Sequence, residues 1–193
     1  AIESVAIERV RQQFETNVFG LVQMTQLVLP GMRRQRWGKI VNLSSMGGRL
    51  TFPGGGFYHS TKYAIEPLPD ALRFEVAGFG IDAILIEPGL IRSNFGDRAV
   101  SSIGSATVSD DPYATFNTQV AKATHDSYER GPLARLGGTP ENVAQTIAQA
   151  IASPHPRARY TVTPSARLLI TLRQILPDTV WDRFLGSQFP RPH

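Results

Sequence analysis

Residues 39–89 read KIVNLSSMGGRLTFPGGGFYHSTKYAIEPLPDALRFEVAGFGIDAILIEPG. A β-branched apolar run stands at each end of this stretch. Lys39 to Leu43 (KIVNL) is entered from Trp37-Gly38 and closed by Ser44-Ser45, while Ile81 to Glu87 (IDAILIE) stops at Pro88-Gly89. Short runs bounded by turn residues are expected of buried parallel strands. Between them, Tyr58 to about Gly78 carries a helical pattern, with Ala64, Leu68, Leu72 and Val76 on one side. Strand, helix, strand in that order predicts a right-handed parallel crossover, hence an α/β fold.

In open parallel sheets, ligands bind outside the carboxyl ends of the strands. Ser45 and Pro88-Gly89 fall at two such ends, and Tyr58 begins the helix rising from the same edge. Tyr58 and Lys62 are four residues apart and share one helix face. An ammonium near a phenol favours the phenolate and lowers its pKa from about 10, so that the group can act as a general acid or base. A serine hydroxyl at the neighbouring strand end can hold a substrate oxygen beside that phenol. Asn17 lies upstream on a helical stripe formed by Val10, Phe14, Val18, Leu21, Val22 and Leu29. A buried amide there needs partners. An asparagine bonded to its own backbone near a helix bend beside Gly20 is the alternative.

Four segments, NVFG, GKIVNLSSMGG, YHSTK and IEPGLIRSNF, occur in this order. Together they resemble the second half of the short-chain dehydrogenase/reductase family, closely over residues 1–100 and more loosely beyond. The resemblance implies a Rossmann-like, doubly wound parallel sheet with helices on both faces. It also implies an oxidoreductase that moves a hydride between NADP or NAD and a small-molecule carbonyl or secondary alcohol. By that resemblance Tyr58 is the catalytic acid/base, and Lys62 lowers its pKa and holds the nicotinamide ribose. Ser45 orients the substrate oxygen, and Asn17 completes a water-borne proton relay to Lys62. Pro88, Gly89, Ile91 and Ser93 are implied to line the nicotinamide, Ser93 standing where the family usually has threonine.

The family opens with a strand and a glycine-rich turn against the pyrophosphate. No such fingerprint occurs here, and the glycines of PGGGF (residues 53–57) lack its spacing. They read instead as a substrate-side loop. The chain starts without methionine, inside what would be the helix after the family's fourth strand, so the expectation is a single domain over 1–193 lacking the N-terminal strands and inactive by itself. A cofactor-free, inactive fragment or scaffold is the competing function class.

Composition narrows the rest. Hydrophobic residues make up 41 % and charged residues 19 % of 193 residues, ordinary for a globular domain. No apolar run approaches the length of a membrane span, and no signal peptide stands out. The absence of cysteine excludes disulfides and thiolate metal sites. A cytoplasmic location follows as an expectation. The net charge of +4 is scattered over arginines, without the aromatic-interleaved basic stripe that nucleic acid would need. Arg33, Arg34 and Arg36 suit a helix C-terminus. His59, His125, His155 and His193 have no metal-ligand spacing and read as loop or solvated residues.

Residues 92–130 carry little periodicity and are expected to form a substrate lid. Thr139-Pro140-Glu141 announces a helix to about Ala152, Pro154 and Pro156 break it, and Arg159 to Thr163 reads as a third strand. A last helical stretch, Ala166 to Leu185, has Leu168, Leu169, Leu172, Ile175 and Leu176 as its apolar stripe. With the Phe52–Phe57 loop it suggests a hydrophobic substrate. Pro67 and Pro69 interrupt the helix of Tyr58 and Lys62, each removing a backbone hydrogen bond. Family members pair this helix across a dimer, so the prolines weaken the case for a homo-oligomer.

Overall fold

The computed structural model of the protein describes residues 1–103, 111–130, 132–189 and 191. Two strands form as expected: β1 spans Gly38–Leu43 and β2 spans Ile81–Glu87. The third, β3 (Arg159–Thr161), is two residues shorter than expected because Thr163 caps the next helix, its hydroxyl accepting from the Ala166 amide at 3.2 Å. All pairing is parallel in the order β1-β2-β3, with Gly38 opposite Ile81 and Leu85 opposite Arg159. Central β2 is buried on both faces. Ile81 and Ala83 meet Ile40, Leu72 and Val76 on one side, and Ile84 and Ile86 meet Ala150 and Tyr160 on the other.

The N-terminal helix is continuous but not regular. Helix α1 (Ile7–Phe14) passes through a π-helical turn, Glu15–Phe19, into α2 (Gly20–Gln35). Asn17 is the middle residue of that turn. Of the predicted stripe only Val10 is buried, while Phe14, Val18, Leu21, Val22 and Leu29 are half-buried.

Helices α3 (Gly56–Ile65) and α4 (Pro67–Val76) replace the single predicted helix. The break is mild. Glu66 stays right-handed (φ −61°, ψ −45°), and its N–H takes the Tyr63 carbonyl that Pro67 leaves without a donor, at 3.2 Å. Far from bending away, α4 remains on the sheet through Leu72 and Val76. The buried stripe runs Thr61, Ile65, Pro69, Leu72, Val76, while Ala64 and Leu68 are only half-buried. The real face lies one residue to the side of the one read from the apolar pattern, because a threonine and a proline supply core positions.

The 92–130 segment also departs from expectation. Within its described part stand α5 (Phe95–Ile103) and α6 (Ala114–Glu129), packed together, where an irregular lid was expected. Residues 104–110 lie outside the described residues. A short α7 (Pro132–Arg135) precedes α8 (Pro140–Ala152), whose start matches the predicted Thr-Pro-Glu signal. The last stretch is two helices, α9 (Pro164–Ile175) and α10 (Asp178–Gln188), separated by Leu176-Pro177. Ala166, Leu169, Ile170 and Trp181 are buried with Met46, Leu50 and Leu90, whereas Leu168 and Ile175 are 43 % and 68 % exposed.

Gly89 makes the joint between β2 and α9. A Cβ there would stand 2.2 Å from Thr163 Oγ1 and 2.9 Å from the Ala166 methyl. Thr163 cannot rotate away without losing its cap, so Gly89→Ala should destabilise the fold by about 1–3 kcal/mol. Urea unfolding of the variant checks this.

Candidate active site

Three consecutive residues at the end of β1 each hold a different turn of α3 and its extension. Lys62 Nζ donates to the Leu43 carbonyl at 2.8 Å, Ser44 Oγ donates to Glu66 Oε1, and the Ser45 hydroxyl stands close enough to the Tyr58 phenol to favour its ionised form. The Ser45 hydroxyl accepts from the Gly47 amide at 3.0 Å, which fixes its position. From behind, Asn17 Nδ2 donates to Thr61 Oγ1 at 3.1 Å, and Thr61 Oγ1 donates to the Tyr58 carbonyl at 2.7 Å. The amide of Asn17 therefore bonds across to α3 and not to its own backbone. A π-turn displaces one residue from the helical ladder, a feature frequent at functional sites.

The pKa of Tyr58 moves in the direction opposite to the sequence expectation. Burial raises it above the ordinary 10, and the Ser45 hydrogen bond offsets part of that rise. The Lys62 ammonium lies 5.8 Å from the Tyr58 ring centroid, over the face of the ring, with one proton committed to Leu43. Burial lowers the Lys62 pKa, and the charge of Glu66 raises it. Desolvation thus dominates both groups.

The other predicted residues follow the exit from β2. The Pro88 carbonyl accepts from the Met46 amide at 2.8 Å, which ties this exit to the residue after Ser45. Ile91 pairs with Gly138, and Ser93 Oγ caps α5 by accepting from the Phe95 amide at 3.3 Å. Ile91 and Ser93 thus anchor the segment to α5 and the Gly138 turn, while Ser45, Tyr58 and Lys62 form the tight group. Phe95 closes the gap, its ring 5.3 Å from that of Tyr58 and 6.4 Å from that of Tyr128.

This arrangement can donate a proton from a half-buried phenol to an oxygen also held by a serine. Beside it an ammonium and the 48 % exposed Leu43 offer a cationic donor next to an apolar shelf. That donor set can hold the hydroxyls of a nicotinamide riboside.

The model of the short chain dehydrogenase family matches residues 1–103. The chain is a short-chain dehydrogenase/reductase family member. Among its relatives, the NADPH-dependent 3-dehydrocapnine reductase of Ornithobacterium rhinotracheale is 34 % identical over 94 % of the chain. The 3-ketodihydrosphingosine reductase of Bacteroides thetaiotaomicron is 34 % identical over 93 %. The chain spans 63 % and 64 % of the lengths of these two relatives. The crystal structure of a short-chain dehydrogenase from Streptomyces avermitilis matches with a TM-score of 0.69 at 29 % identity, over 95 % of this chain and 62 % of that one.

Sequence reasoning misplaced His59. It is 7 % exposed, with Nδ1 bonded to the Gly47 carbonyl at 3.0 Å and Nε2 accepting from the Phe52 amide at 3.2 Å. Burial lowers its pKa below the ordinary 6.5, so it clamps the 47–52 loop as a neutral ring. Gly47 and Gly55 leave room for that ring, since a Cβ on either would come within 2.8 Å of it. Those flanking glycines were the available signal. Glu66, Phe95 and Tyr128 were also missed; nothing local in their spacing marks them.

Because the Ser45 bond favours the phenolate, Ser45→Ala should push the Tyr58 titration further above its already raised position. Ultraviolet difference titration against Tyr58→Phe reads the shift directly.

Proposed function

We propose that this chain carries the proton-transfer and substrate-holding centre of an NAD(P)-dependent oxidoreductase that interconverts a carbonyl and a secondary alcohol. The observation that carries the reading is the Ser45–Tyr58 hydroxyl pair at the end of β1, with Lys62 alongside. The nicotinamide, when bound, supplies or accepts the hydride.

In the reducing direction the substrate oxygen sits between two hydroxyls. Ser45 holds it, and Tyr58 gives up its proton as negative charge develops on that oxygen. The raised pKa of Tyr58 keeps the proton on the phenol until then. Lys62, one turn on, stabilises the resulting phenolate and holds the ribose hydroxyls. Asn17, through Thr61, fixes the helix turn that carries Tyr58. In the oxidising direction the phenolate takes the proton back.

A hydrophobic substrate is the favoured class. A cavity of about 440 Å³ lies against the turn preceding Tyr58, lined by Ile2, Phe52, Phe57, Trp181 and Leu185 together with the charged Arg173 and Asp182. Both segments singled out for a hydrophobic pocket contribute to it. The relative from Bacteroides thetaiotaomicron is, by its name, a reductase of a sphingoid ketone.

In a full-length protein that supplies the family's glycine-rich half, Tyr58→Phe should lower turnover by about 10²–10⁴-fold while leaving NAD(P)H affinity nearly unchanged, because only the transferable proton is lost. Lys62→Ala should reduce both. Steady-state rates and nicotinamide fluorescence titration separate the two effects, and a panel of long-chain ketones against small sugars tests the substrate class. A Tyr58→Phe enzyme that keeps more than a few per cent of wild-type rate overturns the assignment.

A further inference from the structure

A buried carboxylate stands one turn beyond Lys62. Glu66 is at i+4 from Lys62 and i+8 from Tyr58, and its right-handed backbone keeps all three on one face despite Pro67. Only 7 % exposed, it accepts from Ser44 Oγ and from Arg159 Nη2 at 3.3 Å, with Arg49 Nη1 at 3.9 Å. Beside it Glu87, 3 % exposed, takes Arg49 Nη1 at 3.4 Å and Thr161 Oγ1 at 3.0 Å. Asp70 grips the far side of the same Arg159 guanidinium at 2.7 and 2.8 Å.

Room for this carboxylate is reserved by a neighbouring turn. A Cβ on Gly48 would lie 2.7 Å from Glu66 Oε1 and 2.8 Å from Ser44 Oγ. A buried ion cluster is weak support for stability, because apolar residues of similar volume commonly do as well. What distinguishes this one is its place. It joins the ends of β1, β2 and β3 to the helix that bears the proton-transfer pair.

We propose that Glu66 is a positioning residue of the site: clamped between Ser44 and Arg159, its carboxylate holds α3 in register on β1 and places a negative charge one helical turn from Lys62, whose ammonium is held by the adjacent Leu43 carbonyl. This rests on the reading that Tyr58 and Lys62 carry the proton chemistry. The charge of Glu66 is the influence that raises the Lys62 pKa against burial. The charged and titratable groups around the pair are Tyr58 on the same helix, Asp70 on α4, Arg49 after the 46–48 turn, Glu87 on β2 and Arg159 on β3.

Glu66→Gln keeps the shape and an acceptor for Ser44, and removes only the charge. The chain contains three lysines, Lys39, Lys62 and Lys122, so ¹⁵Nζ-lysine spectra resolve the Lys62 signal, assigned by its loss in Lys62→Ala. In Glu66→Gln the Lys62 titration should move to lower pH. The basic limb of the kcat profile should move with it, with KM changed by less than about twofold. A folded Glu66→Gln protein with an unmoved Lys62 titration overturns the proposal. Should that variant not fold, the wild-type Lys62 signal decides: it should show a second inflection as Glu66 takes up its proton, and a single inflection overturns the proposal. Absence of any oxidoreductase activity in the wild type would sink the proposed function, while the titration would still judge Glu66.

Discussion

The end of β1 is stitched to the helix beside it by three successive residues, and the site exists because of that register. Leu43 receives Lys62, Ser44 bonds Glu66, and Ser45 stands beside the Tyr58 phenol. Slipping the helix along the strand by one residue would break all three contacts at once. Much of the remaining structure serves this seam. Asn17 braces the back of α3 through Thr61, and Arg159 on β3 fixes the carboxylate at the α3–α4 junction. Pro88 ties the exit of β2 to Met46, the residue after Ser45.

Electrostatics at the seam is governed by desolvation. Burial raises Tyr58 and Glu66 and lowers Lys62 and His59, each toward its neutral form. Against that trend act a few directed contacts: Ser45 on Tyr58, Ser44 and Arg159 on Glu66, and Glu66 on Lys62. Asp70, half-buried and gripped by Arg159 and Arg73, goes the other way, its pKa lowered to about 2. The site is therefore poised by a small number of hydrogen bonds at a half-buried strand end. Single substitutions there should alter titrations more than they alter the fold.

Strands β1 and β2, their parallel pairing and the placement of Tyr58, Lys62 and Ser45 were legible because each rests on local sequence. β-branched runs end at turn residues, and i, i+4 spacing needs only a helix. Less legible were elements whose burial depends on partners distant in sequence. The core face of α3 and α4 uses Thr61 and Pro69, which apolar patterning does not count. His59 and Glu66 are buried because Gly47, Gly48 and Gly55 leave them space, a relation visible only in three dimensions. Leu176-Pro177 divides what reads as one apolar helix, and α5 forms in a segment of weak periodicity, where Phe95 and Tyr128 stack toward Tyr58.

The register of α3 on β1 is measured most directly by a double-mutant cycle between Ser44→Ala and Glu66→Leu, read as unfolding free energy in urea. A buried hydrogen bond to a charged partner predicts a coupling of about 1–3 kcal/mol between the two substitutions. Additive effects, within about 0.5 kcal/mol, would mean that the Ser44–Glu66 contact does not hold the seam, and would contradict the account.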